Sequence, residues 1–138
     1  MTTLDALQAT LASEHACIYG YGVLGPHASE QDRDGITSAY QAHVLRRDEF
    51  AAQIRARSAE PVAALPAYAL PFPVHDAGTA LRLAGLLENR VAVLYADLVA
   101  AATNLELREI AARALVTAAV RAAGWTGRTT PLPGIDAG

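Results

Sequence analysis

Residues 81–99 read LRLAGLLENRVAVLYADLV, and this stretch decides the fold. Its apolar residues recur in steps of three and four, which is the spacing of one face of an α-helix packed in a bundle. The inward positions are Leu81, Ala84, Glu88, Val91, Tyr95 and Leu98. One of them is a carboxylate. Because a charge is costly to bury unless it is paired or binds a metal, Glu88 indicates either a metal site or an internal ion-pair network.

A second predicted helix carries the same irregularity. Residues 11–22 read LASEHACIYGYG, within a helix that we expect from Leu4 to Leu24, with Thr2 or Thr3 as its cap. Gly25 and Pro26 then end it. Its inward positions are Leu4, Leu7, Leu11, Glu14, Ile18 and Tyr21. Glu14 therefore interrupts this apolar face as Glu88 interrupts the other, and Cys17 is expected to be a small buried hydrophobe.

A further helix is predicted between these two, beginning near Ser29 or Asp34 and ending near Ser58, ahead of Pro61. The middle of its inward face is polar. The inward positions are Ile36, Tyr40, His43, Arg47, Phe50 and Ile54.

The helix that contains Glu88 is expected to start after an Asp76 cap and to reach about Ala102. A last helix, capped by Thr103 or Asn104, then extends to Gly124. Its inward line is Leu107, Ile110, Ala114, Thr117 and Arg121. Small residues dominate this helix, which permits close approach of its neighbours.

The connections between the helices predict the topology. Short turns join the first helix to the second and the third to the fourth, so each pair forms an antiparallel hairpin. Residues 60–75 contain four prolines, which prevent a helix, and apolar residues between them that favour packing. About fifteen extended residues reach roughly 50 Å, enough to run the length of a helix of about 40 Å. The predicted fold is an all-α, ferritin-like four-helix bundle with a long Pro-rich crossover.

Composition bounds the class of protein. The 138 residues are 52% hydrophobic and 18% charged, which predicts one compact domain. We expect the bundle over residues 1–125 and a partly disordered C-terminal tail over 126–138, which is rich in Gly, Pro and Thr. The net charge of -3 and the Arg-only set of basic residues form no basic stripe, which argues against nucleic acid and membrane partners. With one cysteine and no apolar run of roughly 18 residues, a soluble cytoplasmic protein is expected.

Four stretches carry a resemblance to a known family: LASEHACIYGYG, AYQAHVLRRDEF, PAYALPFPV and LRLAGLLENRVAVLYADLV. They make the chain similar to the ferritin-like superfamily, and most similar to a group of actinobacterial ferritin-like domains of unknown function. Di-iron members of the superfamily use a Glu from each of two helices and Glu-x-x-His from each of the other two. Glu14 and Glu88 match the single glutamates and His43 matches one histidine. Tyr40 stands where that histidine's glutamate would be, and the last helix has no ligand pattern.

The missing ligands favour a polar network without metal. Arg47 lies one turn after His43, and Arg121 lies one turn after Thr117, so two guanidinium groups can balance the two carboxylates. The predicted buried network is Glu14, His43, Arg47, Glu88, Arg121, Tyr40 and Tyr95. No catalytic residue and no cofactor is expected. His15 is expected to be a flank residue rather than a ligand.

Two functions remain open at this stage. The first is a non-catalytic binding or scaffold module, expected as a homodimer, with an unidentified protein or a small molecule as a further possible partner. The alternative is a degenerate metal-carboxylate protein, iron-binding or oxidoreductase-like, in which Glu14, His43 and Glu88 hold iron or manganese.

Overall fold

A computed structural model describes residues 1–127 of the protein. It contains four α-helices and, within that range, no β-strand. A short 3₁₀ turn over Gly25–His27 follows the first helix. The helices are α1 (Thr3–Leu24), α2 (Arg33–Arg55), α3 (Ala77–Ala101) and α4 (Leu105–Thr126). The predicted all-α four-helix fold is confirmed. The tail predicted after Trp125 falls mostly on residues 128–138, which lie outside the described residues.

Side-chain caps fix three of the helix starts. Thr2 accepts from the backbone N–H of Asp5, and Asp76 accepts from that of Thr79, each within a capping box. Asn104 accepts from the N–H of Leu107 at 2.8 Å. Because each cap satisfies a backbone donor that the helix leaves free, these residues set the helix boundaries locally.

Two helix ends differ from the prediction. α2 ends at Arg55, three residues early, because Ser58 adopts a φ of 60° that a right-handed helix excludes. α4 continues through Gly124 to Thr126. Trp125, in its final turn, is buried and packs in an apolar cluster with Leu24 and Ile36.

α1 is central in the bundle, packing against both α2 and α3, while α3 also packs against α4. The Thr3 hydroxyl donates to the Ala101 carbonyl at 2.6 Å, so the start of α1 meets the end of α3 and the two run antiparallel. The described backbones of α2 and α4 do not approach closely. The two hairpins therefore meet mainly through α1 and α3.

The crossover over residues 59–75 contains no helix, as the prolines predict. The Gln8 side chain makes two hydrogen bonds to the crossover backbone: Nε2 donates to the Glu60 carbonyl at 2.7 Å, and Oε1 accepts from the Val62 N–H at 2.8 Å. Farther along, Tyr68 packs on Tyr19 with ring centroids 5.6 Å apart. The segment packs as expected, and its contacts with α1 extend from Gln8 to Tyr19.

Two apolar clusters fill the interior, one on each side of a polar layer. The first includes Leu7, Leu11, Phe50, Ile54, Leu98 and Leu107. The second includes Cys17, Leu24, Ile36, Leu83, Leu87 and Trp125. Along α1 and α3 the buried residues between the two clusters are Glu14 and Glu88. Among the described helices, none combines the length and the hydrophobicity that crossing a membrane requires.

Candidate functional site

The polar layer is built by three fully buried side chains from three helices. α1 provides Glu14, α2 provides His43 and α3 provides Glu88. Each lies on the inward face that its helical spacing predicts. The sequence thus anticipated the three residues at the centre of the site.

His43 lies between the two carboxylates and contacts one with each ring nitrogen. Its Nδ1 is 2.7 Å from Glu14 Oε1, and its Nε2 is 2.9 Å from Glu88 Oε2. An ionised carboxylate can only accept, so both contacts become hydrogen bonds when both ring nitrogens carry a proton. The geometry therefore fits an imidazolium between two carboxylates.

The pKa of His43 follows from this arrangement. Burial by itself lowers it, because a charged ring loses its hydration. The nearby Cys17 sulfur and the hydrogen bonds to both glutamates outweigh the burial and raise the pKa to about 12. Burial raises the pKa of Cys17 to about 11, so this thiol is neutral at physiological pH. The layer thus carries one positive and two negative charges among these side chains.

Each carboxylate also accepts a hydrogen bond from a tyrosine. The Tyr95 hydroxyl donates to Glu14 Oε2 at 2.5 Å, and the Tyr21 hydroxyl donates to Glu88 Oε2. Burial, followed by the nearby carboxylates, raises the pKa of both tyrosines, which keeps them protonated as donors. Trp125 Nε1 donates to the Tyr21 hydroxyl at 3.2 Å. A continuous buried hydrogen-bonded chain therefore crosses all four helices.

One carboxylate oxygen stands outside this chain. Glu88 Oε1 is buried and has no hydrogen-bond partner within the described residues. The closest cation is Arg121, whose Nη1 is 3.9 Å away and whose side chain is 25% exposed. This distance is too long for a direct hydrogen bond but permits electrostatic attraction. Arg121 thus brings the layer close to neutrality from the edge of the bundle.

Two residues of the predicted network lie outside it, and both predictions are corrected. Tyr40 is 38% exposed, because the buried line of α2 passes through Ala39 and His43 instead. Arg47 is 35% exposed and its Nε donates to Asp48 Oδ1 at 3.0 Å. Its long side chain keeps the guanidinium at the surface, where hydration is retained.

On α4, Leu107 and Ala114 are buried as predicted, but the other three predicted inward positions are each offset from a buried one by one residue. Thr117 is exposed, and the buried positions are Leu107, Ala111, Ala114, Ala118, Ala122 and Trp125. One residue corresponds to 100° of rotation, which moves Arg121 from the interior to its edge. The network members Glu14, His43, Glu88 and Tyr95 are brought together as predicted.

Sequence reasoning left Tyr21, Cys17 and Trp125 out of the network. A signal for Tyr21 was present, since it follows Glu14 by seven residues as Tyr95 follows Glu88. Seven residues are two helical turns, which places each tyrosine on the same face as its glutamate. No pattern in the sequence connects Trp125 to this layer.

The residues present do not fit a di-metal centre. The inward side chains of α4 beside the layer are alanines, and the histidine already spans the two glutamates. Two carboxylates balance only half the charge of two divalent ions. A single metal ion would require fewer ligands than a di-metal centre. Cys17, His43 and Glu88 each offer one donor atom, and these atoms lie within 4.8 Å of one another.

Comparison with known proteins places the chain. Residues 6–137 match a family described as Domain of unknown function (DUF4439). The chain belongs to this family. A solved relative is the crystal structure of a conserved hypothetical protein, rv2844, from Mycobacterium tuberculosis, which is 34% identical with a TM-score of 0.88. The match covers 91% of this chain and 95% of that one. No curated protein gives a significant match.

Proposed function

We propose that this DUF4439 domain is a non-catalytic, ferritin-like helical bundle that acts as a binding or scaffold module. A buried Glu/His/Tyr network takes the position that metal ions occupy in di-iron bundles. The observation that carries the proposal is the two-sided contact of His43 with Glu14 and Glu88. Two antiparallel hairpins joined by a long crossover, with glutamates on α1 and α3, support the ferritin-like relationship.

In this proposal the polar layer fixes how the helices pack. Apolar side chains tolerate several rotations and registers, whereas a buried carboxylate must meet its donors in one arrangement. Each carboxylate accepts from His43 and from the tyrosine of another helix, Tyr95 for Glu14 and Tyr21 for Glu88. The network therefore selects a single packing of α1, α2 and α3, whether or not it adds net stability.

The surface of α4 supports a protein partner. Val116 and Val120 are 63% and 67% exposed and lie one turn apart on the same face. A contiguous exposed apolar patch can mark a surface that another protein covers. We propose a second copy of the chain as that protein, in a cytoplasmic homodimer, with α4 at the contact. Sedimentation should then show a dimer that Val116→Glu converts to a monomer.

The metal content of the purified protein tests the central proposal. We expect no stoichiometric iron, manganese or zinc by elemental analysis, because His43 holds both carboxylates. One or two metal ions per chain would overturn the proposal. In addition, Glu88→Ala should lower the free energy of unfolding by about 3 to 5 kcal/mol, since it leaves the buried His43 Nε2 and the Tyr21 hydroxyl without their acceptor. Glu109→Ala, at an exposed position of α4, is the matched control and should change it by less than about 0.5 kcal/mol.

A second candidate function is metal binding, favoured by the proximity of Cys17, His43 and Glu88. The earlier ligand set contained Glu14 in place of Cys17, with iron or manganese as the ion. In the structure Glu14 is hydrogen-bonded to Nδ1 of His43. A carboxylate that does not itself touch the metal commonly orients a metal-binding histidine in this way. A thiol, an imidazole and a carboxylate suit zinc better than manganese.

Cobalt(II) distinguishes the two functions, because thiolate coordination gives it a charge-transfer absorption in the near ultraviolet. The metal-binding candidate predicts that this band appears on titration and disappears in Cys17→Ser. The network proposal predicts no such band in either protein. Glu88→Ala would abolish cobalt uptake under the metal-binding candidate with limited loss of stability.

A further inference from the structure

Three features of the sequence that the buried layer does not use meet in one pocket. They are Arg47, His15 and the beginning of the Pro-rich crossover. The pocket has a volume of about 410 Å³ and lies between α1, α2 and the crossover. This volume is within the range of small-molecule sites, roughly 300 to 1,000 Å³.

The floor of the pocket follows from residue spacing on α2. Arg47, Ala51 and Arg55 are four residues apart, so they lie in a row on one face of the helix. The methyl side chain in the middle leaves a notch between two long arginines. Leu11 of α1 lies beneath the same notch, so the floor between the two arginines is apolar.

The outer wall is held in place before any ligand binds. His15 Nε2 is 3.0 Å from the Val62 carbonyl, and this nitrogen must be the donor because a carbonyl only accepts. Gln8 fixes the backbone at Glu60 and Val62 with two further hydrogen bonds. A wall that is already ordered lowers the entropic cost of binding.

The pocket is lined by two arginines and two carboxylates, so its charges balance and a ligand of low charge is suited to it. Arg55 makes no ion pair with any residue of the described chain, and Arg47 uses only its Nε for Asp48. The remaining guanidinium N–H groups can bind a carboxylate. Asp48 and Glu60 also line the pocket, so a highly charged anion would be repelled.

We propose that this pocket binds a small organic acid with one carboxylate and a compact apolar body. The carboxylate contacts the guanidinium groups of Arg47 and Arg55. The apolar body lies on Leu11 and Ala51 under the wall formed by Val62. The proposal concerns a site separate from the buried layer, and it stands or falls independently of the function proposed above.

Titration of ¹⁵N-labelled protein, followed by amide chemical shifts, tests the proposal. The probes are benzoate, its neutral analogue benzamide and inorganic phosphate, at pH 7 and constant ionic strength. We expect saturable shifts with benzoate at the amides of Ala51, Val62 and Ala63. Benzamide should bind at least about tenfold more weakly, because it lacks the charge that strengthens the hydrogen bonds to arginine. Phosphate should also bind more weakly, since it has no apolar body.

Two variants and a control complete the experiment. Arg55→Gln removes an exposed guanidinium, should leave the melting temperature unchanged and should weaken benzoate binding about tenfold. Ala51→Leu fills the notch and should abolish the saturable shifts. Arg90→Gln, at an exposed position of α3 away from the pocket, should bind benzoate as the unchanged protein does.

Four results would overturn the proposal. They are equal affinity for benzoate and benzamide, tighter binding of phosphate than of benzoate, undiminished binding by Arg55→Gln, and an absence of saturable shifts at the three pocket amides.

Discussion

Tyr95 donates its hydroxyl hydrogen to Glu14 Oε2 at 2.5 Å, which joins α3 to α1 in the interior of the bundle. The converse bond also exists, since Tyr21 of α1 donates to Glu88 of α3. Each tyrosine follows the glutamate of its own helix by seven residues and bonds the glutamate of the other. Two antiparallel helices with the same spacing can make this exchange, and together the two bonds fix their register.

The exchange predicts similar losses of stability for Tyr21→Phe and Tyr95→Phe. Each change removes one donor from a buried carboxylate and should lower the free energy of unfolding by about 1 to 3 kcal/mol. Tyr19→Phe is the matched control, because the Tyr19 hydroxyl makes no hydrogen bond within residues 1–127. Denaturant unfolding measures all three. Losses no larger than that of the control would contradict the assigned role of the hydroxyls.

A double-mutant cycle should identify the partner of Glu14. Glu14→Gln and His43→Gln should show a coupling energy of about 1 to 3 kcal/mol, because the two side chains are in direct contact. The cycle of Glu14→Gln with Arg47→Gln should show almost none, since Arg47 is paired with Asp48. A larger coupling energy with Arg47 than with His43 would identify Arg47 as the partner of Glu14, as the sequence predicts.

Stability should fall as the pH rises above neutrality. The pKa of His43 is about 12 in the folded protein, against an ordinary value of 6.5. The unfolded chain therefore releases this proton first, so the stabilisation is complete below about pH 6.5 and declines towards pH 12. Between pH 7 and 8.5 the free energy of unfolding should fall by up to about 1.4 kcal/mol per pH unit.

His43→Gln provides the control for this pH dependence, and thermal or denaturant unfolding at several pH values measures it. The variant should be less stable at pH 7 and should lose the slope. The range ends at pH 8.5 because Cys17 and the buried tyrosines, whose pKa values are also raised, begin to contribute above it. Equal slopes in the two proteins would show that His43 is not charged in the folded state.

Two glycines of α1 should respond in opposite directions. A Cβ on Gly20 would lie 2.6 Å from Leu87 Cδ1, so Gly20→Val should disturb the packing of α1 on α3 and lower stability by about 1 to 3 kcal/mol. A Cβ on Gly22 meets nothing within 4 Å. Gly22→Ala should therefore raise stability by up to about 1 kcal/mol, because alanine favours the helix. Melting temperatures would reveal the difference, and equal effects would contradict the close contact at Gly20.

Much of the fold could be predicted because its determinants are local. Thr2, Asp76 and Asn104 cap helices through residues only three positions away. The apolar spacing of α3 places all six predicted inward residues in the interior. Prolines keep the crossover non-helical whatever it packs against. The end of α2 was less predictable, since the left-handed conformation of Ser58 has no strong sequence signal.

The candidate site was predictable only in part. A carboxylate on an apolar face is visible in one helix, and so Glu14 and Glu88 could be named without a structure. Their partners depend on the rotation and register of neighbouring helices, which a single-helix pattern does not contain. On α4 the predicted positions Ile110, Thr117 and Arg121 each lie one residue, or about 100°, from a buried one. This offset decides how far Arg121 reaches into the layer.

The sequence by itself determined four helices, the caps of three of them, the non-helical crossover and two carboxylates on inward faces, because these follow from helical periodicity and local hydrogen bonding. Only the tertiary structure decided which donors the carboxylates meet. It turned Arg47 outward, where a guanidinium remains hydrated, and brought a histidine between the glutamates with a tyrosine against each. The physical reason is that the interior admits a charge only where several helices together supply its hydrogen bonds.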